Sequence, residues 1–219
     1  HNKEMRLIVN NKANIRSHIG KIMARTVNPE RRAQKKKEIL EAAMQCFAVK
    51  GFHSTSMQDV CRTASMSPGA LYRYFASKDD IITAIVEEEC KQSDAFTLQI
   101  SESGDLFGTL DEAIAQVIQE SSEPGYAQLS AEVYAELSRN DQARAIASKG
   151  HTKATDALAR AISQAMDSEE VNDTWDPDAL AEVLITLIDT IDTRPAFTRK
   201  ASDKSIHKTV IKLIELIKA

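Results

Sequence analysis

The chain of 219 residues is poor in glycine, proline and aromatic side chains, with seven Gly, five Pro and 5% Phe, Trp and Tyr. So few turn-forming residues speak against a sheet-and-turn architecture, and 42% hydrophobic residues can fill a core between helices. Cys46, Cys61 and Cys90 stand far apart with no C-x-x-C spacing. That excludes a disulfide scaffold or a zinc knuckle; buried thiols are the simplest reading, with redox sensing left to neighbours a sequence does not show. The five histidines form no H-E-x-x-H pair, and no Walker loop, nucleophile elbow or dinucleotide fingerprint occurs. Catalysis, a metal and a cofactor are therefore not expected. No apolar run approaches the ~18 residues that cross a bilayer and no signal peptide is seen, so a cytoplasmic protein without a membrane partner is expected.

What the chain does have is an uneven distribution of charge. Its net charge is −4, yet residues 1–78 hold 15 Lys and Arg against 5 Asp and Glu, a surplus of ten positive charges. The remainder holds 13 against 27, a surplus of fourteen negative ones. Segregation this sharp points to a cationic part that meets a polyanion.

The stretch Thr55 to Lys78 lies within that part and reads as two short helices joined by a tight turn. Thr55 and Gln58 have capping-box spacing, Val60, Cys61 and Ala64 give an apolar stripe, and Ser65-Met66 carries the turn. Ser67 offers an N-cap and Pro68 suits the first helical position. Leu71 and Phe75, four apart, can anchor the second helix inward. Pro68, Gly69, Ala70, Tyr72, Arg73 and Tyr74 are left at its start or on its outer sides. Hydroxyls and a cation for phosphates, with small residues for close approach to bases, are what a helix-turn-helix presents to DNA.

From Arg31 to Ile82 the chain resembles TetR-family transcriptional regulators. The resemblance lies in G-F-H-S-T-S-M-Q-D-V-C-R-T-A-S-M-S-P-G-A-L-Y-R-Y-F-A-S-K-D-D-I, with spacing unbroken. Ser65 stands where the family usually has a turn Gly, and Tyr74 where it usually has His. The resemblance implies an all-α fold. A three-helix helix-turn-helix head would occupy residues 29–78, and a larger ligand-binding and dimerisation body residues 79–219. The expected DNA contacts are Thr55, Ser56, Gln58, Ser67, Pro68, Gly69, Ala70, Tyr72, Arg73, Tyr74 and Lys78. Of these, Tyr72, Tyr74 and Lys78 are assigned to phosphates, and Gly69, Ala70 and Arg73 to bases.

Residues 1–28 read as an N-terminal extension: a flexible basic arm, a non-native segment ahead of a start at Met23, or an extra helix. A helix capped by Asn28 follows, with Ile39, Leu40, Ala43 and Phe47 on one stripe, Arg31, Arg32, Lys35, Lys36 and Lys37 at its start, and Gly51 at its end. Ser77 and Asp80 open the next helix. Thr109 with Glu112 is read as the cap of another, and Arg194-Pro195 as the disruption of a strongly apolar one.

The body is expected to hold a pocket for a small-molecule effector, with Phe96, Tyr126, Leu129, Tyr134 and Trp175 as lining candidates. Asp189 and Asp192 share a helix face and read as exposed, as buried against a donor such as Arg194, or as holding a cationic effector. Leu184, Leu187, Ile188 and Ile191, with Ile206, Val210, Leu213 and Ile217, supply more apolar area than one small core needs, and are expected at a homodimer interface. The expected function is a homodimeric repressor that leaves a palindromic operator when an effector binds. The alternative is an activator or ligand-independent DNA-binding protein whose body recruits protein partners.

Overall fold

The computed structural model describes residues 29–197 and 201–219, the side chains of Asp192, Ala196 and Phe197 excepted. The N-terminal extension, the Asn28 cap and the role considered for Asp192 thus lie outside the described residues. Within them, all regular structure is helical. The elements are α1 (Pro29–Lys50), α2 (Met57–Thr63), α3 (Pro68–Leu71), α4 (Lys78–Glu102), α5 (Leu106–Ser121), α6 (Tyr126–Leu137), α7 (Asp141–Asp167), α8 (Pro177–Phe197) and α9 (Asp203–Ile214), with a 3₁₀ turn at Glu215–Ile217.

The chain divides into two units within α1, between Ile39 and Leu40. In the first, Arg31, Arg32, Lys36 and Lys37 are exposed, and Lys35 donates to Glu38 at 2.7 Å. The second unit, Leu40–Ala219, contains the remaining elements. Leu40, Ala43 and Phe47 are buried there, and Gly51 ends α1 in the left-handed region at φ +78°.

Two boundaries in the body differ from the sequence reading. Helix α5 is capped by Asp105, whose carboxylate accepts the Gly108 N–H at 2.8 Å; Thr109 is buried inside the helix, its hydroxyl turned to the Asp105 carbonyl. A Cβ on Gly108 would lie 2.3 Å from that carboxylate, so glycine makes room for the better capping group. Helix α8 also runs through Pro195 to Phe197. One donor missing near a helix end removes one bond and leaves the preceding turns intact.

The body has one apolar core, to which α4, α5, α7, α8 and α9 all contribute; Leu110, Ile114, Leu158, Ile162 and Ala181 are almost inaccessible. This corrects the expected dimer surface. Leu184, Ile191, Val210 and Ile217 are buried in the chain's own core, and Leu187, Ile188 and Ile206 pack against it partly covered. Of the eight, only Leu213 is exposed. Asp189 is half-buried, 3.7 Å from His151 Nδ1; burial pushes its carboxyl up, and the neighbouring imidazole partly opposes this. Arg194 pairs with Asp203 instead.

Helices α4 and α7 form the most extensive pairing, and their crossing is set at Gly150. A Cβ there would come within 2.9 Å of Cys90 Sγ, whose thiol faces the Ile146 carbonyl at 3.7 Å. In an exposed helix Gly→Ala gains about 1 kcal/mol, whereas overpacking a tight contact costs about 1–3 kcal/mol. Gly150→Ala is therefore expected to destabilise the wild-type chain and to stabilise a Cys90→Ala chain. Denaturant unfolding of the four members of this cycle checks it, and equal effects in both backgrounds would refute the contact.

Candidate nucleic-acid interface

Helix α2 is too short to persist alone, and its ends explain how it holds. It is capped by Ser56 rather than Thr55: Ser56 Oγ accepts the Asp59 N–H at 3.2 Å, and Asp59 accepts the Ser56 N–H at 2.9 Å. Lys50 donates to Asp59 at 2.7 Å, and this ammonium, with the Ser56 hydroxyl and N–H, holds the Asp59 carboxyl well below the usual carboxylate range. Thr55 is buried, its hydroxyl donating to the Gly51 carbonyl at 2.8 Å and the Cys46 carbonyl at 3.2 Å. Its expected role as a DNA contact is corrected, because the side chain is spent closing the loop between α1 and α2.

The turn itself is a Schellman motif. Met66 N–H reaches back to the Cys61 carbonyl at 2.9 Å and Ser65 N–H to the Arg62 carbonyl at 3.2 Å, with Ser65 between them at φ +50°. Where the resembling family usually has glycine, this chain thus forces a serine into the left-handed region. Ser67 occupies the N-cap of α3 without a side-chain capping bond, leaving Pro68 at the first helical position to start the turn.

The short α3 is held by its inner face. Leu71 and Phe75 are buried, as their spacing predicts. Ser56, Gln58, Ser67, Pro68, Gly69, Tyr72 and Arg73 are exposed, and Ala70 and Tyr74 half-exposed. One patch therefore gathers ten of the eleven expected DNA-contacting residues outside the core. Lys78 is the tenth of these in an altered role: its ammonium donates to the carbonyls of Phe52 at 2.6 Å and His53 at 3.2 Å and lies 4.6 Å from the Phe52 ring centroid. It is engaged within the protein, an interaction its assignment to a phosphate did not include. Gly69 has no positive φ, unlike Gly51, Gly104 and Gly125, and a Cβ there would meet nothing within 4 Å. Nothing inside the protein requires glycine at that position.

The sequence reading missed Lys50, Asp59, Glu132 and Glu136 around this patch. Lys50 and Asp59 lie on separate elements, and Glu132 and Glu136 come from α6, so no local pattern links them. The proposed effector residues do not gather in the same way. Phe96 packs partly covered on the body core, and Tyr126 and Leu129 are half-buried. Tyr134 and Trp175 are surface residues, 45% and 44% exposed, which corrects their placement in an internal pocket. A groove of about 600 Å³ runs between Phe52, His53, Lys78, Thr83, Glu136 and Arg139, and none of the five lines it.

A family model described as bacterial regulatory proteins, tetR family, matches residues 39–85. The HTH-type transcriptional regulator UidR of Escherichia coli (strain K12) is 31% identical over 134 residues, covering 61% of this chain and 67% of that protein. Among solved structures, Salmonella enterica GusR superposes with a TM-score of 0.66 at 28% identity, over 85% of this chain and 96% of that one. FadR of Bacillus subtilis in complex with stearoyl-CoA shares the fold, with a TM-score of 0.66 at 20% identity over 81% of this chain and 96% of that one.

The strained turn yields a direct expectation. Left-handed backbone costs a residue with a Cβ about 1 kcal/mol that glycine does not incur. Ser65→Gly is expected to raise stability by up to about that amount, less what added freedom costs the unfolded chain. Equilibrium unfolding measures it, and a clear loss of stability would show that the serine is not strained.

Proposed function

The chain belongs to the tetR family of bacterial regulatory proteins and is a transcriptional regulator, and we propose that it acts as a homodimeric repressor released from a palindromic operator by a small molecule. Gly69 carries this reading. It opens the exposed side of α3 beside Tyr72 and Arg73, and the fold does not need it. A glycine on an exposed helical turn lowers stability, a cost that close approach by an outside surface would account for, and the edge of a base pair in the major groove is such a surface. Arg73 suits a guanine edge, and Tyr72 and Tyr74 suit flanking phosphates. The ten-charge surplus of residues 1–78 supplies the attraction to the duplex that does not depend on sequence.

A two-fold partner follows from the same geometry, since one short reading helix covers only a few base pairs. Apolar side chains unspent by the core support a dimer surface on α8, α9 and the turn after it: Val183 is 63% exposed, Leu213 53% and Leu216 72%. Release by an effector requires that the molecule bind better to the arrangement unable to hold both half-sites. The surface positions of Tyr134 and Trp175 favour a second reading, in which the body recruits a protein partner and takes no ligand. Screening compounds for a thermal shift that the selected duplex reverses separates the two.

Selection from a randomised duplex library is expected to recover an inverted repeat. Gly69→Ala should leave unfolding unchanged or raise stability slightly, yet weaken binding to the recovered duplex by about tenfold or more, the equivalent of one misfitted base contact. Undiminished affinity in this variant would sink the reading of α3. Sedimentation at micromolar concentration is expected to show a dimer, and the pair Val183→Asp and Leu213→Asp a monomer of unchanged helicity. A monomeric wild-type chain would remove the two-fold model.

A further inference from the structure

We infer that Glu132 and Glu136, one helical turn apart on α6, are positioning residues that hold the 51–53 turn and through it set the orientation of the reading helix. The inference rests on the DNA-binding reading only for its effect on affinity; the contacts stand independently.

The loop between α1 and α2 leaves backbone groups that no helix can satisfy. Gly51 in the left-handed region ends α1, and the Phe52 N–H finds its acceptor outside that helix. It is accepted by Glu132 Oε2 at 2.7 Å, from a residue eighty positions further along the chain. The same carboxylate leaves no easy room for a side chain at position 51, where a Cβ would sit 3.1 Å from Oε1. On the other side of the same peptides, Lys78 binds the Phe52 and His53 carbonyls, and Thr55 binds that of Gly51. The Phe52 ring is buried, 5.2 Å from that of Phe47. Three consecutive peptides are thus fixed by side chains from α6, from the start of α4 and from the loop itself.

Glu136 completes the grip. Its buried carboxylate lies 3.3 Å from His53 Nε2 and 3.1 Å from Arg139 Nη1. A buried carboxylate is expensive, and an apolar side chain of similar volume would serve packing as well or better. What a carboxylate adds is direction, because a charge-assisted bond to one N–H or one ring nitrogen fixes where the loop lies. Ser56 caps α2 just beyond this loop, so a rotation of residues 51–53 carries α2 and α3 with it. Helix α6 also packs on α8, so that it, like α4, touches both the body and this loop.

Hydrogen exchange read by mass spectrometry on the full chain tests this without any DNA. Glu132→Ala should speed exchange about tenfold in peptides covering residues 52–76 and leave α8 within about twofold of wild type. Glu132→Asp keeps the charge but shortens the arm, and should behave like Ala. Glu132→Gln keeps an oxygen at the same reach, and should retain most of the protection. In a second arm, the duplex selected by the wild type should bind Ala and Asp about five- to tenfold more weakly and Gln within about twofold, a coupling of ordinary size. Unchanged local exchange in both Ala and Asp, or acceleration spread evenly over the chain, overturns the inference. If the wild type selects no duplex, the DNA reading fails and the exchange arm still decides the grip.

Discussion

Neither helix of the helix-turn-helix could exist by itself. With seven residues in α2 and four in α3, both fall far below the length at which a helix in water outweighs its own nucleation. They persist because Val60, Cys61, Leu71 and Phe75 are taken out of water, each large side chain contributing about 1.5–3 kcal/mol. The remaining features of the patch serve this dependence. Caps at Ser56 and Ser77 satisfy the end groups, the Schellman turn at Ser65 keeps the link short, and the loop at 51–53 is fastened from outside.

How much of this was legible in the sequence follows from how local each interaction is. The inward pair Leu71 and Phe75, the Ser77–Asp80 capping box and the glycine stop at Gly51 involve partners within a turn or two, and sequence spacing reads such pairs directly. Thr55 and Ser56 could not be told apart as caps, because what decides between them is that the Thr55 hydroxyl finds two carbonyls of the α1 end, one of them nine residues away. The intramolecular partners of Lys78 were hidden for the same reason, since they lie on a loop twenty-five and twenty-six residues earlier. Glu132 and Glu136 leave no sequence signal at all, being two acids on an acidic helical body.

The apolar residues of α8 and α9 show a different limit. Their helical spacing marks a stripe correctly but does not say what covers it, and most of the stripe meets the chain's own α5 and α7. The residues left over, Val183 and Leu216 among them, fall between the regular positions and look individually unremarkable in sequence. Subtracting the core from the stripe requires the fold.

Fixed groups from the body reach the reading patch at the 51–53 loop. A conformational change in packed helices is transmitted only where an element has defined partners on both sides. Helix α4 begins at the reading patch, with Lys78 on the 51–53 loop, and pairs along its length with α7; α6 reaches the same loop from the body with two carboxylates. Movement of α4 relative to α6 would pull the Phe52 and His53 peptides in two directions at once. A displacement larger than hydrogen-bond geometry tolerates would break one of the two sets. If a small molecule acts as proposed, breaking such charge-assisted hydrogen bonds would set the difference between the two arrangements, on a scale of a few kcal/mol.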